Sequence, residues 1–482
     1  MNSLFNSLLV DGNWTGANDN RRFQVSNPAT GEHIEEIADA DGADATRAVE
    51  AAERALPGWA GRTAFERSEI LYRGWQLMTE QAESLARTMT EEQGKSLRAA
   101  RIEVKYAADF LIWYAEEAKR VQGHTIASAR SDQRFIVAKQ PVGVVAAITP
   151  WNYPLSMITR KLGPALAAGC TVVLKPAEDT PMSAIAIFKL LQQAGVPDGV
   201  INLVTTSNPI PVGEVFTEHP AIAKLTFTGS TEVGRMLAGR AAANMKRVSC
   251  ELGGHAPFIV FKDADPVHAA KGASLVKFLN SGQACISPNR LYVPSSLVDG
   301  FTETLVDRVK KMKTGNGLED GVAIGPLVNE AAVNKIDAQV VDATDKGASI
   351  ACGGGRLSDG DLSQGHFYAP TVLTGVTDSM NIYRQETFGP IAPIIAFDDE
   401  EEVLKMANDT HYGLAAYVYT QNISRAFRMF EGLRFGIIGI NDINPTAASV
   451  PFGGMKSSGL GREGGQPGIE EYLETKVGGF AL

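Results

Sequence analysis

Cys285 closes the run Asn-Ser-Gly-Gln-Ala-Cys, whose small residues leave room for a substrate beside the sulfur. A thiolate is the most powerful nucleophile a side chain offers, so this position could carry covalent catalysis. Cys170 in Ala-Ala-Gly-Cys-Thr-Val-Val and Cys352 in Ala-Cys-Gly-Gly read instead as inert thiols. Glu251 lies in Val-Ser-Cys-Glu-Leu-Gly-Gly, between an apolar segment and two glycines. Partly apolar surroundings raise a carboxyl toward the working range of a general base. Asn152, in Thr-Pro-Trp-Asn-Tyr-Pro, follows an apolar run and is framed by prolines, so its amide could stabilise an oxyanion. Each has a plainer reading as a core thiol, a strand-end carboxylate or a loop amide. No Cys–His pairing signature, zinc spacing or HExxH pair is present, so neither a papain-type site nor a metal is expected.

Phosphate-binding chemistry has a true and a false candidate. Gly459-Leu-Gly-Arg-Glu-Gly464 satisfies GxGxxG, yet the dinucleotide fingerprint needs a preceding strand and a βαβ unit of about 30 residues. Neither is expected so near the C-terminus, and the segment reads as a glycine-rich turn. In Phe227-Thr-Gly-Ser-Thr-Glu-Val-Gly234, by contrast, an apolar strand ends and a helix begins at once. Free N–H groups and the helix dipole there favour a pyrophosphate, and Gly229 permits close approach. The plainer reading is Ser230 or Thr231 capping a helix. Lys175-Pro-Ala-Glu178 also follows a strand, where an acidic residue could hold ribose hydroxyls.

These residues need a scaffold of alternating elements. Helices are expected over Ala45–Leu56, with Asp44 as cap and Pro57-Gly58 as stop, and over Leu97–Lys119. The whole stretch through about Arg120 reads as helical, and Gly123–Gln140 as a projecting hairpin. From Val142, apolar runs (Val142–Ile148, Thr171–Leu174, Val200–Val204, Lys224–Phe227) alternate with helical stretches such as Ser183–Ala194 and Thr231–Ala243. Continuous apolar strands between helices mean a parallel sheet covered on both faces. The alternation restarts with Phe258–Phe261, Asp265–Leu279, Leu291–Val293 and Leu297–Met312, so two α/β units meet near Glu251–Gly254. Such a junction is a favoured place for a cleft.

Composition bounds the function. In 482 residues, 45 Lys+Arg stand against 55 Asp+Glu, a formal charge of −10 that argues against a nucleic-acid partner. No run is long and apolar enough for a membrane span, and Met-Asn-Ser-Leu-Phe-Asn-Ser has no basic start or signal-like core. A cytoplasmic protein is expected.

Pro150-Trp-Asn-Tyr-Pro154, Lys175-Pro-Ala-Glu178, Phe227-Thr-Gly-Ser-Thr231, Glu251-Leu-Gly-Gly254, Gly282-Gln-Ala-Cys285, Glu386-Thr-Phe-Gly-Pro390 and Pro451-Phe-Gly-Gly454 occur in this order. With them the chain resembles the NAD(P)-dependent aldehyde dehydrogenase superfamily over nearly its whole length. The resemblance implies an α/β fold of two Rossmann-like doubly wound domains with a small β oligomerisation element. Residues 1–122 and 142–253 would form the cofactor domain and 254–455 the catalytic domain. Residues 123–141 and 456–482 would supply the oligomerisation element and tail of a homodimer or homotetramer.

It also implies Cys285 as nucleophile, Glu251 as base and Asn152 as oxyanion donor beside the Cys285 N–H. Lys175 and Glu178 match adenosine-ribose contacts, and Gly229 and Ser230 the pyrophosphate turn. Trp151, Thr231, Gly234 and Leu252 belong to the same cofactor site. Glu386 matches the nicotinamide-ribose contact and Phe388 the nicotinamide neighbour. The implied reaction is oxidation of a small-molecule aldehyde through a thiohemiacetal and a thioester, the latter hydrolysed by water that Glu251 activates.

NAD is expected to be preferred and NADP possible, since Glu178 would accept from a 2′-hydroxyl and repel a 2′-phosphate. Met157-Ile-Thr-Arg-Lys161 and Gly459–Glu463 resemble the succinate-semialdehyde dehydrogenases. In these, Arg160 matches a residue holding the distal carboxylate, and Thr446 stands near a hydroxyl contact. Leu279 replaces a second arginine of that pattern, and Ile286-Ser287 replaces a second cysteine. His255-Ala-Pro and Gln283–Pro288 are also similar to α-ketoglutarate-semialdehyde dehydrogenases. An acid semialdehyde such as succinate semialdehyde is the expected substrate, with α-ketoglutarate semialdehyde or broader aldehydes as the alternative. A CoA-acylating dehydrogenase would not need Glu251 as a base for water, and a cysteine hydrolase would not need the nucleotide turn.

Overall fold

A computed structural model describes residues 6–482; residues 1–5, where the reading of the N-terminus begins, lie outside the described residues. Eight strands form a first sheet, in the order Asn13–Thr15, Leu8–Val10, Ile201–Leu203, Thr171–Lys175, Val144–Ile148, Ile222–Thr228, Arg247–Glu251, Gly459–Leu460. Its five inner strands run parallel. Their side chains alternate between two cores. Val145, Ala147, Val172 and Leu174 pack with the helices Ala64–Glu80, Leu97–Glu117, Ser156–Ala168 and Pro181–Gln193. Val144, Ala146, Val173, Leu225 and Phe227 pack with Gly42–Ala60, Pro209–Glu218 and Thr231–Ala243. With both faces dry, the central strands are apolar on each side, which is why they read as continuous runs.

The second sheet has seven strands, in the order Ser349–Cys352, Thr371–Thr374, Ile391–Phe397, Pro288–Pro294, Ala256–Val260, Ala415–Tyr419, Ile437–Ile440. It is parallel except at Ser349–Cys352, and it too separates two cores. A third sheet of three strands joins His124–Ile126, Gln133–Pro141 and Leu473–Ala481. From the rest of the tail, Gly459–Leu460 goes to the first sheet.

Several expectations for elements need correction. Residues before the first helix are not helical: they form Leu8–Val10, Asn13–Thr15, Arg22–Ser26 and His33–Ala38. These strands are short and pair at a sheet edge or as a hairpin, which leaves no long apolar alternation to read. The first helix is capped by Asp41, and Asp44 is the reciprocal partner of the capping box rather than the cap. It continues through Pro57 to Ala60, because the turn beyond the proline carries Trp59 into the core at 1% exposure. The glycine-rich 459–464 segment includes a short strand. Gly459, at φ 141°, pairs with Glu251, and a Cβ there would lie 2.0 Å from the Cys250 carbonyl oxygen. Among the described residues no helix is long and apolar enough to cross a membrane, and no cluster of metal-ligating side chains occurs.

Candidate active site

In the first sheet the chain order reverses between Val144–Ile148 and Ile222–Thr228, and ligands of open α/β sheets bind beyond the carboxyl ends of strands at such a point. The loops that leave these ends hold Trp151, Asn152, Gly229 and Ser230, and the next strand ends on Glu251. The second domain approaches with Cys285, just before Pro288–Pro294, and with Glu386 and Phe388, just before Ile391–Phe397. All of these residues, with Leu252, line one cavity of about 370 Å³.

The backbone leading to Cys285, the candidate nucleophile, is set by an unusual turn. Asn280, Ser281 and Gly282 have φ of 50°, 56° and 76° in succession. Ser281 Oγ donates to Gly325 O at 2.9 Å, and the Gln283 side chain accepts from Val328 N at 3.0 Å. Burial pushes the Cys285 thiol up to about 12, although the Arg160 charge opposes the rise. Asn152 donates through Nδ2 to Gln283 O at 3.0 Å, which ties the amide to the nucleophile's own loop.

Glu251 has no hydrogen-bond partner on either carboxylate oxygen. Burial and the negative charge of Glu463 hold its carboxyl well above the usual range. Glu463 is the anion of a buried cluster: Lys161 Nζ lies 2.6 Å and Arg160 Nε 2.9 Å from it. Burial works to raise Glu463 as well, yet Lys161 and Arg160 hold it below the ordinary value. The arginine contact is electrostatic rather than a directed hydrogen bond, and Arg160 Nη2 has no partner. The guanidinium lies 3.9 Å above the Phe452 ring. Two buried cations therefore share one carboxylate, beside a Glu251 whose carboxyl is held above its usual range. Arg160 is 1% exposed and does not line the cavity; Thr446 lies outside it too and donates to Asn444 Oδ1 at 3.1 Å.

The structure can hold a dinucleotide. Ser230 caps the helix Thr231–Ala243 and also lines the cavity, so the helix begins at the cavity wall; Gly229 N donates to Glu251 O at 3.1 Å. A Cβ on Gly234 would lie 2.3 Å from Leu252 Cδ2, so this glycine lets the helix close on the loop after Glu251. Glu386 accepts from Gly254 N at 2.7 Å; burial raises its carboxyl to about 7, against that bond and the charges of Lys335 and Lys277. Phe388 meets Trp151 edge to face at 5.5 Å and has φ of 56°, a strained conformation for a phenylalanine. Thr231 is buried beneath the turn, with its hydroxyl 3.4 Å from Ser457 O. Lys175 and Glu178 lie outside the cavity and pair with each other at 3.1 Å.

Several residues of the site escape a reading of the sequence. Lys335 lines the cavity from the helix Glu330–Asp345. Lys161 and Glu463 flank or join segments already singled out, yet neither stands out there. Glu463 sits inside the rejected glycine motif, and a lone charge among glycines is the available signal.

The aldehyde dehydrogenase family model matches residues 14–477. The chain is 51% identical to the NADP(+) succinate-semialdehyde dehydrogenase GabD of Escherichia coli, covering 97% of this chain and 96% of that one. It is 50% identical to a glutarate-semialdehyde dehydrogenase of Pseudomonas putida, with the same coverage. The crystal structure of an E. coli NADP-dependent enzyme superposes with a TM-score of 0.97 at 49% identity, over 99% of this chain and 98% of that one. The expected preference for NAD is thereby overturned, since the E. coli relative is named for NADP(+). That expectation needs a free carboxylate at Glu178. Lys175 instead pairs with it, and its side chain is 45% exposed, so water and a cation both weaken the repulsion it could exert.

Proposed function

This chain belongs to the aldehyde dehydrogenase family, and we propose that it oxidises an acid semialdehyde of the succinate-semialdehyde type with NADP. The observation that carries the reading is a single cavity where Cys285, Asn152 and a Glu251 without hydrogen-bond partners meet the Gly229–Ser230 turn and Glu386. Cys285 gives its thiol proton to solvent and attacks the aldehyde carbon as thiolate, and the oxygen that becomes negative is stabilised by Asn152 Nδ2 and the Cys285 N–H. When bound, the nicotinamide cofactor supplies a hydride acceptor. Gly229 and Ser230 would hold its phosphates, with Thr231, Gly234 and Leu252 shaping the same cofactor site; Trp151, Glu386 and Phe388 would hold its nicotinamide end, and Lys175 and Glu178 its adenosine ribose. Glu251 then takes a proton from the water that attacks the thioester carbonyl, and the acid leaves Cys285 as thiolate.

Arg160 supports the substrate class. The cluster Arg160, Lys161 and Glu463 carries one positive charge in excess, and Arg160 Nη2 lacks a partner. A substrate carboxylate would balance that excess, with Thr446 as a further hydroxyl donor. The relatives named for succinate and glutarate semialdehyde agree with such a substrate. The test is reduction of NADP, followed by absorbance, with succinate semialdehyde and with a neutral aldehyde of similar length. Arg160→Leu should raise KM for the first by at least about tenfold more than for the second, because a charge-assisted contact from the unpartnered Nη2 is specific to carboxylate. Equal losses would make Arg160 a purely structural cation.

The division of the chain is proposed as residues 1–122 with 142–253 for the cofactor, 254–455 for catalysis, and 123–141 with 456–482 for oligomerisation and the tail. A homodimer or homotetramer is supported by the three-stranded sheet, whose apolar Ile126, Ile136, Val477 and Phe480 are 46–61% exposed. Free cysteines at all four positions support a reducing compartment such as the cytoplasm.

A further inference from the structure

The backbone carbonyl of Asn152 is the meeting point of three segments. Lys95 Nζ donates to it at 2.7 Å and Asn280 Nδ2 at 2.9 Å. Lys95 is 1% exposed, lies 4.2 Å from the centre of the Tyr153 ring and is ion-paired with Glu103. Glu103 in turn accepts from Leu155 N at 3.0 Å and Ser156 N at 3.2 Å, where the helix after the Asn152 loop begins. The loop is thus held at its carbonyl and at its exit by one buried ion pair.

The segment that delivers Lys95 is itself pressed against the catalytic domain. Leu97 N donates to Gly317 O at 2.9 Å, and a Cβ on Gly325 would lie 2.1 Å from Gly94 O. Gly325 O also accepts from Ser281 Oγ of the nucleophile turn. One contiguous network therefore joins the cofactor domain's Asn152 loop to the turn that presents Cys285. The Asn152 side chain completes the ring by spending one N–H on Gln283 O, which leaves the second N–H for a ligand in the cavity.

We propose that Lys95 and Asn280 are positioning residues that lock the Asn152 amide in register with Cys285. Neither touches the reacting atoms; they act by fixing the Asn152 carbonyl, and with it the plane from which Nδ2 reaches the nascent oxyanion. Asn280 suits this task because asparagine tolerates its φ of 50° while its short amide reaches across to the neighbouring loop. A buried ammonium at Lys95 suits it because the cost of desolvation is offset only while both Glu103 and the Asn152 carbonyl stay in place. The inference rests on the reading of Asn152 as oxyanion donor.

The test separates chemistry that makes an oxyanion from chemistry that does not. Para-nitrophenyl acetate acylates Cys285 through an oxyanion, whereas iodoacetamide alkylates it by displacement. Lys95→Met and Asn280→Gly should slow acylation by about 10- to 100-fold and leave alkylation within about twofold, as expected for a misplaced rather than absent donor. Glycine keeps the left-handed turn and deletes only the donor, so the second variant stands if the first does not fold. In an Asn152→Ala background both effects should vanish. Unchanged acylation, alkylation that falls in step, or a full effect persisting without the Asn152 amide would overturn the proposal. If Asn152→Ala alone leaves acylation intact, the oxyanion assignment itself fails and this inference falls with it.

Discussion

A thiol pushed up to about 12 by burial cannot be its own activator near neutral pH, so the chemistry has to be divided among neighbours. Glu251 has the environment of the second worker, held well above the ordinary carboxyl range by burial and by Glu463. Only its deprotonated form takes a proton from water, so thioester hydrolysis should quicken as pH rises through that raised value. Glu251→Gln should retain a burst of reduced cofactor in stopped flow, lose steady-state turnover by about 100-fold or more, and lose the limb of the pH profile on which turnover rises with pH. Cys285→Ala should abolish both burst and turnover. Glu178 pairs with Lys175 at 3.1 Å, and water reaches its half-exposed carboxylate as well. Glu178→Ser should change kcat/KM with NADP by less than about threefold, because Lys175 and water already screen the carboxylate, as steady-state kinetics would show. At this scale legibility followed sequence distance. Cys285, Glu251 and Asn152 could be singled out because each carries its signal in adjacent residues. Glu463 and Lys161 could not, because their meaning lies in a contact between positions that only the fold brings together.

The elements that read correctly are those whose side chains face one kind of surroundings throughout. Val144–Ile148 and Thr171–Lys175 are dry on both faces, and the helix Thr231–Ala243 begins at a cap that Ser230 announces. The misread ones answer to tertiary demands instead. Leu8–Val10 has no alternation of apolar and polar residues and owes its place to the partner Ile201–Leu203, whereas Arg22-Phe-Gln-Val-Ser does alternate, a strand signal that the helical expectation misses. Gly459–Leu460 is a strand only because the end of Arg247–Glu251 offers it an edge. The nucleophile turn shows how tightly an element can be specified by backbone alone. Gly282 has φ 76°, and a Cβ there would lie 2.1 Å from Gly389 O, so neither conformation nor space admits a side chain. Gly282→Ala should cost about 2–4 kcal/mol of stability, from left-handed strain plus displacement of packed backbone. It should also move Cys285 away from Asn152, so a melting curve and an acylation assay should both register the change. Normal stability with normal acylation would mean that the 387–390 segment yields freely.

For the whole molecule, the three-stranded sheet stands out for the apolar side chains it leaves exposed. Leu473–Ala481 pairs along its full length with Gln133–Pro141, yet His124–Ile126 is exposed at every residue. Small sheets hold together when a face is buried, and open edges invite pairing with another chain. Here both faces carry exposed apolar side chains: Val477 is 61% exposed on one, and Ile136 is 46% exposed on the other. A sheet that faced only water would be expected to place polar residues at these positions. A second copy of the chain is the simplest cover, since identical subunits bury identical patches around a symmetry axis. Val477→Asp combined with Ile136→Asp puts charge on both faces without touching any of the four cores. Sedimentation velocity should then show smaller species than the wild type, while far-UV circular dichroism stays the same. Cys285, Asn152 and Glu251 all come from the same chain, so a dissociated variant that stays folded should still acylate at Cys285. A wild-type protein that sediments as a monomer, or a doubly charged variant that sediments as the wild type does, would remove the sheet from the interface.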